Sequence, residues 1–388
     1  IFCSETEETH FVSLHVPAPA TSDRSSDEGK CCICVWNSTL SRSPIHVLVG
    51  EGVMKVACMC PTKNIIVLCG TEEGSIQVWY IRNYHQGLNI PNGKVTQPCY
   101  NTSWDKFTID HKTSISDIKT IPDGKKIGEG SAYNIASSDQ DTIIIWTLSY
   151  SHASLKHDVQ AKTGIQLEQL KIVNKFPNNI KKTPSPSILS KTKDETEGDN
   201  VLENNIFNSR TFYFPGTSSR YLVSGLNGTI EHRSLNGEAP KPKAYYHDPC
   251  YKARDGNHII AEIVSFSTFL SIFLVGWNDI SISLFFESSP SPIMEWDSLS
   301  FSSYVLSNPS MCLHLQWSPH RPAVFFVVFE DNLVTFDLVQ DSICPTHSET
   351  FLLGRGDDCL SISPSGAPAP FAVVIDKMSG NIVLRKFH

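Results

Sequence analysis

One short pattern limits the fold more than any other feature of the chain: a polar or glycine turn, an alternating apolar strand, and then a large side chain in a fixed slot. It is fullest in "GTEEGSIQVWYIR" (residues 70–82), with Gly74 in the turn and Trp79 in the slot. "CCICVWN" and "SSDQDTIIIWTL" repeat it, ending in Trp36 and Trp146. Worn copies follow once another large side chain is admitted: "NGTIEHRSL" with Arg233, "NDISISLFF" with Phe285, "EDNLVTFDL" with Phe336 and "SGNIVLRKF" with Arg385. The slots are spaced by 43, 67, 87, 52, 51 and 49 residues. A four-stranded propeller blade takes about 40–45 residues, so these intervals suit blades carrying loops of different size. The expectation is an all-β, seven-bladed β-propeller with degenerate blades and long loop insertions, a single domain over residues 1–388.

The rest of the sequence agrees with a β architecture. Helical periodicity is scarce, and short runs of Val, Ile, Phe and Thr are broken by Gly, Pro, Asn and Asp. The most membrane-like stretch, "IIAEIVSFSTFLSIFLVGW" (259–277), contains Glu262 and several Ser and Thr residues, and is read as two adjacent buried strands and not as a membrane insertion. A net charge of −8 argues against a broad phosphate-binding surface, hence against nucleic acid as a partner. Twelve cysteines scattered through strand-like runs suggest a reducing compartment. Cys31 and Cys34 have C-x-x-C spacing, but no second ligand pair accompanies them and the flanking "ICVW" places them on a strand. The 14 histidines are dispersed, without H-E-x-x-H, G-x-S-x-G or phosphate-loop spacing. No catalytic residue, metal ligand or cofactor is therefore expected.

The copy at residues 110–148, "DHKTSISDIKTIPDGKKIGEGSAYNIASSDQDTIIIWTL", is the clearest and resembles the WD-repeat family. In that family a buried His, Asp, Ser or Thr, and Trp hydrogen-bond across the blade. The resemblance places these roles on His111, Ser137, the Asp139-Gln140 corner and Trp146, with Gln140 where the usual spacing from Trp has Asp. Such a network stabilises a blade and carries no chemistry. The other copies lack a Gly-His pair, so the network is expected to be missing from most blades, which simple packing must hold.

Residues 151–205, rich in Lys, Pro, Ser and Asp/Glu, read as a surface-loop insertion with Thr183-Pro184 and Ser185-Pro186 as candidate phosphorylation sites. Residues 83–109 read as a shorter excursion, with Tyr100 and Trp104 on an outer strand or, as the alternative, exposed to solvent. The last copy leaves little chain for an outer strand, so the closing strand is expected from the first few residues or from upstream sequence. No signal peptide is visible, and an extension preceding Ile1 is expected.

The stretch "LQWSPHRPAVFFVVFEDNLVTFDL" (315–338) narrows the resemblance. Its Trp317-Ser-Pro319 turn, "PAVF" and final "FDL" are similar to the repeat unit of dynein intermediate chains, in which W-S-P, P-A-V-F and W-D-L follow at this spacing. The first three slots agree with that resemblance, and the pairing of "TFYFPGTSSRYLVSGLNGTIEHRS" with "FLVGWNDISISLFF", together with the drifted last blade, looks most like the intermediate chains of dynein-2, the motor of intraflagellar transport. That resemblance implies a non-catalytic subunit of the cytoplasm and cilium whose propeller docks on the tail of the dynein-2 heavy chain. It also implies that a second intermediate chain and light chains bind through an N-terminal extension that these residues do not include. Two alternatives stay open: a WD-repeat scaffold for a membrane coat, chromatin or ubiquitin-ligase complex, and an intermediate chain of another dynein class. The repeat signature marks blade structure, so it assigns no partner-binding residue.

Overall fold

The structure is a computed structural model. It describes residues 2–3, 10–16, 31–37, 43–60, 65–81, 94–104, 111–121, 133–139, 141–150, 165–174, 212–213, 220–224, 228–247, 259, 261–267, 269–297, 300, 314–318, 321–329, 332–350, 358–362, 371–375 and 382–386.

Its strands form seven sheets, the blades of a propeller. Blade one has β1 (Phe2–Cys3), β2 (His10–His15), β3 (Cys32–Asn37) and β4 (His46–Val49). Blade two has β5 (Met54–Met59), β6 (Ile65–Thr71), β7 (Ile76–Ile81) and β9 (Tyr100–Asn101), while the intervening β8 (Lys94–Thr96) joins blade one. Blade three has β10 (Asp117–Ile121), β11 (Tyr133–Ser138), β12 (Thr142–Tyr150) and β13 (Ile165–Asn174); blade four has β14 (Phe212–Tyr213), β15 (Arg220–Ser224), β16 (Thr229–Ser234) and β17 (Ala244–Tyr246). Blade five has β18 (Ala261–Phe266), β19 (Ile272–Trp277), β20 (Ile282–Phe286) and β21 (Met294–Trp296). Blade six has β22 (His314–Trp317), β23 (Val324–Val328), β24 (Asn332–Asp337) and β25 (His347–Thr350), and blade seven has β26 (Asp358–Ile362), β27 (Phe371–Ile375) and β28 (Ile382–Lys386).

Within each blade the chain passes outward strand by strand with antiparallel pairing, the added β8 of blade one excepted. The first strands of neighbouring blades touch: β1 meets β5, β5 meets β10, β18 meets β22 and β22 meets β26. The ring closes where β26 meets β1. All seven slot residues, Trp36, Trp79, Trp146, Arg233, Phe285, Phe336 and Arg385, lie on the third strand of their blades. The recurring slot in the sequence is thus one recurring position in space.

Period-two alternation sends one face of each blade to the preceding blade and the other to the next. The core is accordingly a series of clusters between blades. Val12, Ile33, Val35 and Leu48 pack on Met54, Val67, Cys69 and Trp79, and Leu68 and Val78 pack on Ile135, Ile144 and Trp146. Farther round, Tyr245 packs on Phe273 and Phe285, and Trp296 on Phe325 and Phe336. Trp79, Trp146, Phe285 and Phe336 all face the preceding blade. The hydrophobic run at 259–277 becomes β18 and β19 with a turn between them.

Several expectations need correction. The range 151–205 is not wholly a loop, because Ile165–Asn174 forms β13, which pairs with β12 along its length as the outer strand of blade three. Its apolar residues form two period-two pairs, Ile165/Leu167 and Leu170/Ile172, and the change of parity between them, which the ladder takes up at Ile145/Trp146, obscured the pattern. The remainder of that range, including the two candidate phosphorylation sites, lies outside the described residues. The excursion after β7 sends β8 back to pair in parallel with β4, adding a fifth strand to blade one. Tyr100 is on the outer strand β9 as expected, but Trp104 is in a one-turn 3-10 helix and partly exposed. Phe2–Cys3 does not supply an outer strand to blade seven; it pairs with β2 at the inner edge of blade one.

Candidate functional site

The polar side chains singled out in the sequence sit together in blade three. Trp146 stands opposite Ile135 in the β11–β12 ladder, which puts Ser137 on the diagonal and on the same face. Trp146 Nε1 donates to Ser137 Oγ at 2.7 Å, and that oxygen lies 2.6 Å from His111 Nε2. His111 Nδ1 lies 3.2 Å from Asp139 Oδ2. A neutral His111 carrying its hydrogen on Nδ1 gives every donor in this chain an acceptor: indole to hydroxyl, hydroxyl to imidazole, imidazole to carboxylate. Asp139 Oδ1 also accepts from the backbone N–H groups of Asp141 and Thr142 and from Thr142 Oγ1, so it pins the turn between β11 and β12. Gln140 lies outside the described residues. Burial alone would raise the Asp139 carboxyl, but hydrogen bonds from His111 and Thr142 outweigh it and hold the group well below the usual carboxylate range. All four side chains are buried and fully engaged with one another, an arrangement that braces a blade and presents no free nucleophile or base to a substrate.

The same register appears, with changes, in other blades. In blade one Trp36 stands opposite Phe11, with Ser13 on the diagonal; Trp36 Nε1 donates to Ser13 Oγ at 2.8 Å, and Ser13 Oγ lies 2.7 Å from His15 Nε2. Here the histidine comes from β2 itself, so no Gly-His pair announces it. In blade five the two partners have exchanged strands. Trp277 on β19 donates to Ser283 Oγ on β20 at 2.8 Å, and His247 packs edge-on against the Trp277 ring while its Nε2 lies 2.9 Å from Ser281 Oγ. Polar pairs thus brace blades one and five as well, beside the packing expected to hold most blades. Sequence spacing missed these networks because their polar partners are supplied from different strands.

His247, Ser281 and Asp279 have the composition of a hydrolytic triad but not its connectivity. Ser281 Oγ donates to Asp279 Oδ1, and both Ser281 and Asp279 approach the same imidazole nitrogen, Nε2. The carboxylate thus competes with the imidazole for the hydroxyl instead of orienting the imidazole from behind.

Where Trp is lost, the slot is repacked. Phe285 stacks on Phe273 with ring centroids 5.2 Å apart, and Phe336 stacks on Phe325 at 4.6 Å with Trp296 of blade five against both. Two facing phenyl rings recover the volume of an indole and need no acceptor. In the Arg233 slot the guanidinium pairs with Glu231 on the same strand. Blade two keeps Trp79 but has Val67 opposite and Cys69 on the diagonal, and among the described residues the buried Trp79 Nε1 has no acceptor.

Trp317 does more than shape a turn. Its backbone N–H donates to Ser265 Oγ and its indole N–H to Ser265 O, each at 3.1 Å, fastening the end of β22 to the end of β18 in the preceding blade. Pro319 lies outside the described residues. Arg321 beyond it pairs with Asp337, the residue after the Phe336 slot, which links the two ends of the "QWSP…FDL" stretch. Cys31 and Cys34 are not a ligand pair: Cys31 joins Ile33 and Val35 in the cluster facing blade two, whereas Cys34 has the opposite strand parity.

No family model matches the chain. It is 22% identical over 402 aligned residues to the mouse protein "Cytoplasmic dynein 2 intermediate chain 1", a match covering 98% of this chain and 38% of that one. The human protein of the same name is 23% identical over 407 residues, covering 98% and 36%. The chain therefore spans little more than a third of the length of these relatives. Among solved structures it matches the yeast Saccharomyces cerevisiae protein Sqt1, a WD-repeat protein, with a TM-score of 0.55 at 13% identity, over 100% of this chain and 83% of that one. That likeness shows the WD-repeat propeller fold, and the chain resembles dynein-2 intermediate chains along almost its whole length.

Proposed function

We propose that this chain is the propeller of a non-catalytic intermediate chain of dynein-2, which docks on the tail of the motor's heavy chain and supports retrograde intraflagellar transport in cilia. The observation that carries the reading is the alignment with dynein-2 intermediate chains over 98% of the chain, from the first blade to the last. The buried polar groups agree with it, since they brace blades and leave a rigid ring whose surface is free to bind proteins. Binding of a second intermediate chain and of light chains is assigned to sequence outside these residues. The reading places the protein in the cytoplasm and cilium.

The test is co-purification of the tagged chain from ciliated cells. Recovery of the dynein-2 heavy chain is expected, and recovery of nuclear or membrane-coat proteins alone would overturn the reading. The purified chain should hydrolyse no ATP above buffer.

A further inference from the structure

The acidity of this chain is concentrated in two blades. Residues 259–350, which contain blades five and six, hold ten Asp and Glu residues, one arginine (Arg321) and no lysine, a net of −9 where the whole chain carries −8. The remaining blades are close to neutral. Arg321, the one cation, is already paired with Asp337.

One end of these two blades is also apolar. The β18–β19 turn exposes Phe269 and Leu270, and the strand end and loop from β20 to β21 expose Phe286 and Ile293. These two connections lie together, because Glu287 N–H donates to Ser271 O. In blade six the β24–β25 loop exposes Val339 and Ile343, which are 83% and 71% accessible. The two blades present these loops at the same end of the ring: Trp317 at the end of β22 bonds to Ser265 near the end of β18, and Trp296 Nε1 donates to Ser342 O at 3.0 Å, drawing the β24–β25 loop against blade five. Most of the large exposed hydrophobics among the described residues are thus on one end of two adjacent blades, in loops that also carry Glu287 and Asp341.

We propose that this face of blades five and six is a docking surface for a basic amphipathic helix of a partner protein, its apolar stripe on Phe269, Leu270, Phe286, Ile293, Val339 and Ile343 and its lysines or arginines over the surrounding carboxylates. An exposed apolar patch on a folded protein marks an interaction site, and the charge around it selects the occupant. A nucleic acid or an anionic membrane is repelled by a region of net −9, and a second copy of this chain would bring the same sign to the contact. A helix with one apolar stripe and a basic polar face meets both conditions. The inference rests on the chemistry of the face and not on the dynein reading, so either can fail alone.

The test uses the purified full chain and two labelled helical peptides of about 18 residues, one of leucine and lysine and one of leucine and glutamate, followed by fluorescence anisotropy. The lysine peptide should bind at least about tenfold more tightly than the glutamate peptide, with an affinity that falls as salt rises. The double variant Phe269→Ser/Ile343→Ser should weaken it by about tenfold or more, the equivalent of losing one well-buried apolar side chain. Glu287→Gln/Asp341→Asn should weaken it and flatten the salt dependence. Glu72→Gln, on the exposed end of blade two, should change neither, and thermal melts should show all variants folded. Equal binding of the two peptides, no binding of the lysine peptide, or blade-five and blade-six variants that behave like Glu72→Gln would overturn the proposal.

Discussion

Ser137→Ala is the most informative perturbation of the blade-three network. It removes one oxygen that receives the Trp146 indole N–H at 2.7 Å and lies 2.6 Å from His111 Nε2. Both neighbours are buried, so neither can turn to water. Leaving a buried polar group without a partner costs about 1–3 kcal/mol. With two groups affected, the loss should be about 2–4 kcal/mol. Blade two supplies the control, because Cys69 occupies the position equivalent to Ser137 beside a Trp that has no acceptor there. Cys69→Ala deletes one buried heavy atom and a single long thiol contact to Gly70 O at 3.5 Å, and should cost about 1 kcal/mol. Equilibrium urea denaturation of the two variants beside the parent measures both losses through the shift in midpoint at constant slope. A Ser137→Ala loss no larger than that of Cys69→Ala would refute the view that the network stabilises the blade.

Three other perturbations follow from the same geometry. Cys69→Ser places a hydroxyl where Ser13 and Ser137 stand in blades one and three, giving Trp79 Nε1 an acceptor; it should raise stability by about 1 kcal/mol in the same urea assay. The Asp139 carboxyl is held below its unfolded range, so its contribution is complete above the unfolded value of about 4 and is lost as pH falls through and below that value. The stability difference between the parent and Asp139→Asn should accordingly be largest near neutral pH and shrink in acid. Gly74 has φ +90° in the β6–β7 turn, and an added Cβ would lie 2.3 Å from His111 O, so Gly74→Ala should lose at least about 2 kcal/mol and lower the melting temperature.

The architecture was legible in the sequence because the slot residue performs one physical job in every blade. A large side chain on the third strand fills the gap to the preceding blade whether it is Trp146 or Phe336. A single copy of the motif is compatible with many β folds, whereas seven in order at blade-length spacing specify a ring of repeated sheets. What escaped was pairing that depends on three dimensions. Nothing local to "GKVTQ" shows that Lys94–Thr96 returns to β4 in parallel. The Ser13–His15 and Trp277–Ser283 networks were hidden because the motif fixes a chain position for each polar group, whereas hydrogen bonding requires only that the groups meet on one face. Ile280 is another such case: it takes φ 74° in the β19–β20 turn, the conformation Gly228 takes in the equivalent turn of blade four, with a side chain that gives no sign of it. The charge asymmetry of blades five and six can be read from the sequence, but only after strand boundaries say which residues to count together.

The proposed role of this ring is docking on the dynein-2 heavy chain. Its most direct test is size-exclusion chromatography with light scattering on the purified chain mixed with purified dynein-2 heavy-chain tail. Co-elution as a complex of defined mass at micromolar concentration is the predicted result; separate elution of the two folded components would contradict the account.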